Sequence, residues 1–110
     1  MLFCITANYT PKAMNALREN PKSNHREAVE QLVKAAGGKL VAMYGTMANG
    51  PGAMAIIDAD PVAAAAVAGT AASSDGLQNI KFMRLYNQED VTAVRQKRVQ
   101  IYASYRPPGQ

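Results

Sequence analysis

The sequence predicts an α+β fold, and three observations predict it. Strand-like and helix-like stretches alternate in the order β-α-β-β-α-β-α along the 110 residues. The two inner strands are joined by the turn-forming run Asn49-Gly-Pro-Gly52 rather than by a helix. Helix-like stretches instead connect the first strand to the second and the third to the fourth, which lets both helices pack on one sheet.

Leu2 to Tyr9 is rich in β-formers and reads as a strand closed by Thr10-Pro11. Lys12 to Arg18 follows as a short helix, and Pro21 ends it. A longer helix begins near Asn24, where Asn24-His-Arg-Glu27 has the spacing of a capping box. Its apolar residues Ala28, Val29, Leu32, Val33 and Ala36 fall at helical spacing, and Gly37-Gly38 stops it. Lys39 to Met47 and Ala53 to Ala59 are strands. Asp60 caps the next helix, with Pro61 in its first turn. The run Val62-Ala-Ala-Ala-Ala-Val-Ala68 is strongly helical, and its small side chains let the axis lie close to a sheet. After Ser73-Ser-Asp-Gly76, Leu77 to Tyr86 reads as a strand. Asn87-Gln-Glu-Asp90 opens a last helix, on which Val91, Val94, Arg98, Ile101, Tyr102 and Tyr105 recur about one turn apart. Pro107-Pro-Gly-Gln110 cannot continue it.

Two β-α-β units joined by a hairpin make the ferredoxin-like βαββαβ arrangement, here with a C-terminal helix added. The glycines of Ala48-Asn-Gly-Pro-Gly-Ala53 belong to that hairpin. A phosphate-cradling loop leads into a helix, whereas Ala53-Met-Ala-Ile-Ile57 is a good strand and a poor helix start.

Leu40-Val-Ala-Met-Tyr44 and Met54-Ala-Ile-Ile57 show no polar face apart from the Tyr44 hydroxyl. An antiparallel sheet with one face in water normally alternates apolar and polar residues. Helices cover one face only, so the second needs another cover, and the same face of a second copy is the simplest. The sequence therefore predicts a homodimer packed sheet to sheet and leaves association beyond a dimer open.

Composition excludes several classes. Met1-Leu-Phe-Cys-Ile5 lacks a basic leader, and no apolar run approaches the roughly 20 residues of a membrane span, so a cytoplasmic protein with no membrane partner is expected. The single Cys4 in an apolar run reads as a buried small hydrophobe. One His and one Cys on different elements offer no metal-ligand spacing, and neither a metal nor a cofactor is expected. The net charge of +4 is spread along the chain. Ile80-Lys-Phe-Met-Arg-Leu-Tyr86 lacks the glycine-flanked pattern of an RNA-binding strand, which argues against nucleic acid as a partner.

The chain resembles the GYD-domain family of the dimeric α/β-barrel superfamily. The resemblance covers residues 1–95 and leaves 96–110 as the end of the C-terminal helix and a Pro-rich tail. It rests on Phe3-Cys-Ile-Thr-Ala-Asn-Tyr-Thr10, Arg26-Glu-Ala28, Gly37-Gly-Lys-Leu40 leading into Tyr44-Gly-Thr-Met47, and Ile57-Asp-Ala-Asp60. The Gly-Tyr-Asp tripeptide that names the family falls in the hairpin, and this chain has Asn49-Gly-Pro-Gly52 there. The resemblance implies the dimeric barrel and no established reaction; the superfamily includes cofactor-free oxygenases and isomerases as well as plain binding proteins.

Candidate residues for a ligand pocket are Tyr9, His25, Tyr44, Met47, Met54, Arg84 and Tyr86, with Met83 beside them. His25 lies in the first turn of a helix, where the dipole disfavours its protonated form; it is either a residue beside a cap or a general base at a pocket mouth. Arg84, a charge within an apolar strand, is expected to be paired, exposed or held for an anion. Asp58 and Asp60 are spaced two apart, but Asp60 is explained as a cap. No nucleophile–base pair can be assembled. The function expected is that of a homodimeric small-ligand-binding or assembly protein without catalysis. The alternative is a cofactor-independent oxygenase or isomerase acting on a small aromatic or carbonyl compound.

Overall fold

The computed structural model describes all residues, Met1–Gln110. Strand β1 (Leu2–Tyr9) is followed by α1 (Pro11–Glu19), whose first turn is capped by Thr10 accepting from the Ala13 amide. Helix α2 (His25–Ala35) starts at Asn24, whose side chain accepts from the Glu27 amide at 3.0 Å. It ends where Gly37 turns to φ +86° and the Gly38 amide reaches back to the Val33 carbonyl. Strands β2 (Lys39–Thr46) and β3 (Gly52–Asp58) form the expected hairpin. Asn49 and Gly50 both take positive φ in its turn, the backbone handedness that matches the strand twist. Helix α3 (Pro61–Ala72) begins on the Asp60 cap, and β4 (Leu77–Leu85) precedes α4 (Gln88–Ile101). The complete capping box is at α4, where the Asn87 side chain accepts from the Asp90 amide and the Asp90 carboxylate accepts from the Asn87 amide.

The four strands lie in the order β2-β3-β1-β4, all neighbours antiparallel. This is the ferredoxin-like arrangement. Both central strands carry alternating apolar residues, and the helix-facing set makes the core. Phe3, Ile5, Leu40, Ala55 and Ile57 from the sheet pack against Val33 of α2 and Ala63, Ala64, Val67 and Ala68 of α3. Ala64, Val33 and Ile57 are wholly inaccessible to solvent. The Ala-rich face of α3 lets the helix approach the sheet closely, as its composition suggests. Phe3 stacks on Phe82 across β1 and β4, with ring centroids 5.2 Å apart.

The other face of the sheet carries no helix. Leu2, Cys4, Ala42, Tyr44, Met54, Ile56, Met83 and Leu85 fall on it by strand alternation and register. A bulge in β2 between Leu40 and Ala42 adds Val41 to the exposed apolar residues. Apolar side chains thus leave both faces of one layer.

Helix α4 does not return to the body. None of its residues is buried, and past the half-buried Val91 its apolar stripe is exposed: Val99 is 80% exposed, and Tyr102 just beyond the helix 82%. The helix ends at Ile101, a 3-10 turn covers Tyr102–Ser104, and Tyr105 is already extended. This arm stretches the molecule to 59 × 33 × 21 Å and raises the radius of gyration to 17.8 Å. A compact chain of this length has about 13 Å. No helix is long and apolar enough to cross a membrane.

Candidate functional site

Six of the seven candidate residues divide among three places, and Met47 lies apart. Tyr9 and His25 come together. Tyr9 ends β1 on the helix-facing side, and His25 is the first residue of α2, oriented by the Asn24 cap just before it. The Tyr9 hydroxyl lies 3.1 Å from His25 Nδ1, and the two rings meet edge to face. Both groups are half-buried. Burial lowers the pKa of His25, because the imidazolium loses water more dearly than the neutral ring. Burial likewise raises the pKa of Tyr9. At neutral pH the pair is a neutral imidazole bonded to a neutral phenol. The position of His25 at the start of α2 acts in the same direction as its burial, since the helix dipole also disfavours the imidazolium.

His25 lines a cavity of about 50 Å³ between the sheet and helices α2 and α3. Ile5, Ala7, Val29, Leu32, Met43 and Val67 are among its walls, and every lining residue but His25 is apolar. One titratable group facing an apolar hollow is an arrangement that orients a small, mostly apolar guest through a single polar contact. Sequence reasoning missed these walls. Val29 and Leu32 were visible as the inner stripe of a helix, but nothing in a linear pattern shows that Ala7, Ala53, Ala55 and Ala71 leave space where larger side chains would fill it.

Tyr44 and Met54 lie elsewhere. They are cross-strand partners on the helix-free face, along with Met83, and so are separated from His25 by the sheet itself. Met47 belongs to neither place, since it sits past the end of β2 in the hairpin and is 77% exposed. Arg84 and Tyr86 form the third group. The guanidinium stands 4.6 Å from the centre of the Tyr86 ring at the exposed end of β4, an edge strand. Register places that end beside Leu2, whereas Tyr9 pairs with Leu77 at the other end. Arg84 is exposed, with no carboxylate within bridging distance.

The remaining chemistry-bearing groups are occupied otherwise. Asp60 caps α3 at 2.9 Å from the Ala63 amide, and Asp58 takes an ion pair from the α-amino group of Met1 at 2.9 Å. Both line one open cleft, but each is already engaged there, Asp60 by the helix cap and Asp58 by the α-amino group. Cys4 is buried and its thiol pKa is raised by burial, which disfavours the reactive thiolate. No three His, Cys, Asp or Glu side chains converge on a point that could hold a cation.

The family model described as GYD domain matches residues 3–94, which spans every strand and helices α1 to α3 and stops within α4. No curated protein matches the chain.

Proposed function

The chain belongs to the GYD-domain family, and from that premise we propose that it is a small-ligand-binding protein that acts as a homodimer without catalysing a reaction. The carrying observation is His25, the single polar side chain in the wall of an apolar cavity, held in place by Tyr9. The cavity is far smaller than the roughly 300 Å³ at the lower end of drug-sized sites. The guest is therefore small, or it enters by displacing the flexible Met43 thioether. A molecule with one hydrogen-bonding oxygen on an apolar body, a phenol or a simple ketone, matches one imidazole in an apolar wall.

The homodimer reading is supported by the helix-free face. Val41, Tyr44 and Met83 are exposed there beside half-buried Met54, Ile56 and Leu85. A contiguous apolar surface of that kind is uncommon on a soluble monomer. Face-to-face packing of two copies covers it with the complementary surface already present.

A thermal-shift series with phenol, acetophenone and cyclohexanone tests the binding reading, because a ligand selective for the folded state raises the melting temperature. The expected result is a concentration-dependent rise that His25→Ala abolishes. A flat response to the whole series counts against it.

The pair Tyr9–His25 also favours a second reading, a cofactor-independent oxygenase or isomerase. A neutral imidazole is ready to take a proton from a bound phenol or from carbon next to a carbonyl. Consumption of oxygen, or conversion of the compound that shifts the melting point, would select this reading over binding alone.

A further inference from the structure

The helix-free face is apolar through its middle and carries Lys39 and Asp58 at one end; the end beside the hairpin is polar as well. There Thr6, Asn8, Thr46, Asn79 and Lys81 surround a cleft of about 470 Å³. Asn8 organises it. Its Nδ2 donates to the carbonyls of Ala48 at 2.9 Å and Gly50 at 3.2 Å, tying β1 to the hairpin turn, and its Oδ1 accepts from Asn79 Nδ2 at 3.3 Å. Both amide hydrogens of Asn8 are thereby used. Gly52, which pairs with Asn8 on one side and Thr46 on the other, puts no side chain between them.

Asn79 sits at φ +56°, where the pairing of β1 with β4 slips between Thr6 and Asn8. Glycine occupies that left-handed region freely, and asparagine is among the few other residues that adopt it readily. What Asn79 adds over glycine is an amide directed into the cleft. One of its hydrogens goes to Asn8 and the other is free. The hydroxyls of Thr6 and Thr46 and the ammonium of Lys81 take part in none of the side-chain hydrogen bonds or ion pairs of the chain. No carboxylate lines the cleft. The groups left over are a cation, an amide donor and two hydroxyls, which together suit two oxygens sharing one negative charge. A single lysine balances a carboxylate, whereas a phosphate dianion calls for more positive charge.

The register supplies the rest. Thr6 lies between Met54 of β3 and Lys81 of β4, and the next residues along the same face are Cys4, Ile56 and Met83. A molecule whose head rests on Lys81 therefore finds an apolar track leading away from it. We propose that this cleft binds a small amphipathic carboxylic acid, with the carboxylate held by Lys81, Asn79, Thr6 and Thr46 and the tail laid along Met54 and Met83. The site is separated by the sheet from the cavity of His25 and does not rest on that cavity; its polar head is complete within one chain, while Met54 and Met83 belong to the face that two copies share in the proposed homodimer, so there the tail lies between the two sheets.

Titration of the full chain with octanoate, followed by calorimetry and by amide chemical shifts, tests it. The expected result is saturable binding, with shifts centred on residues 79–81 of β4 and not on α2, and affinity lowered about tenfold or more by Lys81→Met. Asn79→Gly, which keeps the backbone relaxed while deleting the amide, should also weaken binding. Absence of saturable octanoate binding would overturn the proposal. So would octan-1-ol binding as tightly as octanoate, which would reduce the contact to its tail. Tighter binding of inorganic phosphate would overturn the choice of a carboxylate, and shifts centred on His25 would move the site to the other face.

Discussion

The hydroxyl of Tyr9 and Nδ1 of His25 lie 3.1 Å apart, joining the end of β1 to the start of α2 across a separation of 16 residues. Neither group has another side-chain hydrogen bond, so each depends on the other for satisfaction away from water. Tyr9→Phe keeps the ring that meets His25 edge to face and deletes only the bond. The variant should lose about 1 kcal/mol, the usual net worth of such a bond when its partner is left half-buried. Urea unfolding reads this as a lower midpoint with an unchanged slope. An unchanged midpoint would mean that water replaces the hydroxyl without loss.

His25 makes the fold sensitive to mild acid. Its folded-state pKa is lowered, with burial as the cause, while the unfolded chain retains an ordinary value near 6.5. Below about 6.5 the unfolded state binds a proton that the folded state resists, so stability is fully present above that pH and is lost as pH falls through the folded-state pKa. Proton NMR of the imidazole should give a midpoint below 6.5. His25→Gln should flatten the decline in melting temperature over that window; a decline that persists unchanged would assign it to the carboxylates.

The helix-free face gives a prediction of assembly. In the proposed homodimer Ile56 lies on the face that two copies share, on a central strand of the sheet. Ile56→Asp puts a charge there which cannot be buried unpaired. Sedimentation should find the parent protein as a dimer at micromolar concentration and the variant as a folded monomer. A monomeric parent would remove the homodimer from the account.

Most of the architecture was legible because it rests on short-range signals. Asp60-Pro61, Asn24, Asn87 and the Gly37 stop each act within one helical turn, and Asn49-Gly50 sets its hairpin by local backbone preference. Apolar residues on both faces of β2 and β3 were legible for the same reason. The site was legible only in part. Tyr9 and His25 were each singled out, but their meeting depends on where α1 delivers the chain after β1, which no spacing encodes. Tyr44, Met54, Arg84 and Tyr86 were grouped with them because all sit on or beside strands, and strand alternation and register then send them to another face or the far end. Asn8, Asn79 and Lys81 went unremarked, since Asn79 lies in a bulge that shifts the alternation of β4. The stripe on α4 was visible, yet a stripe does not say whether its own chain or another covers it.

Two glycines in the same chain should respond to alanine in opposite directions. At Gly52 a Cβ would run into the backbone carbonyl of Ala7 on the neighbouring strand and come within 3.0 Å of the Thr46 hydroxyl. Backbone on a central strand cannot step aside without breaking the β1–β3 ladder, and the Tyr9 amide, which donates to the Pro51 carbonyl at 3.0 Å, shares that corner. Gly52→Ala should therefore destabilise by about 3 kcal/mol, at the upper end of overpacking effects. Gly69 lies on α3, exposed, with nothing near the position of its missing Cβ. There alanine only narrows the unfolded ensemble and favours the helix, so Gly69→Ala should stabilise by roughly 0.5–1 kcal/mol. Thermal melts of the two variants beside the parent check both signs at once. If Gly52→Ala melts with the parent while Gly69→Ala rises, the strand corner has room to relax, and the narrow approach of β1 to β3 is not what fixes a glycine at that position.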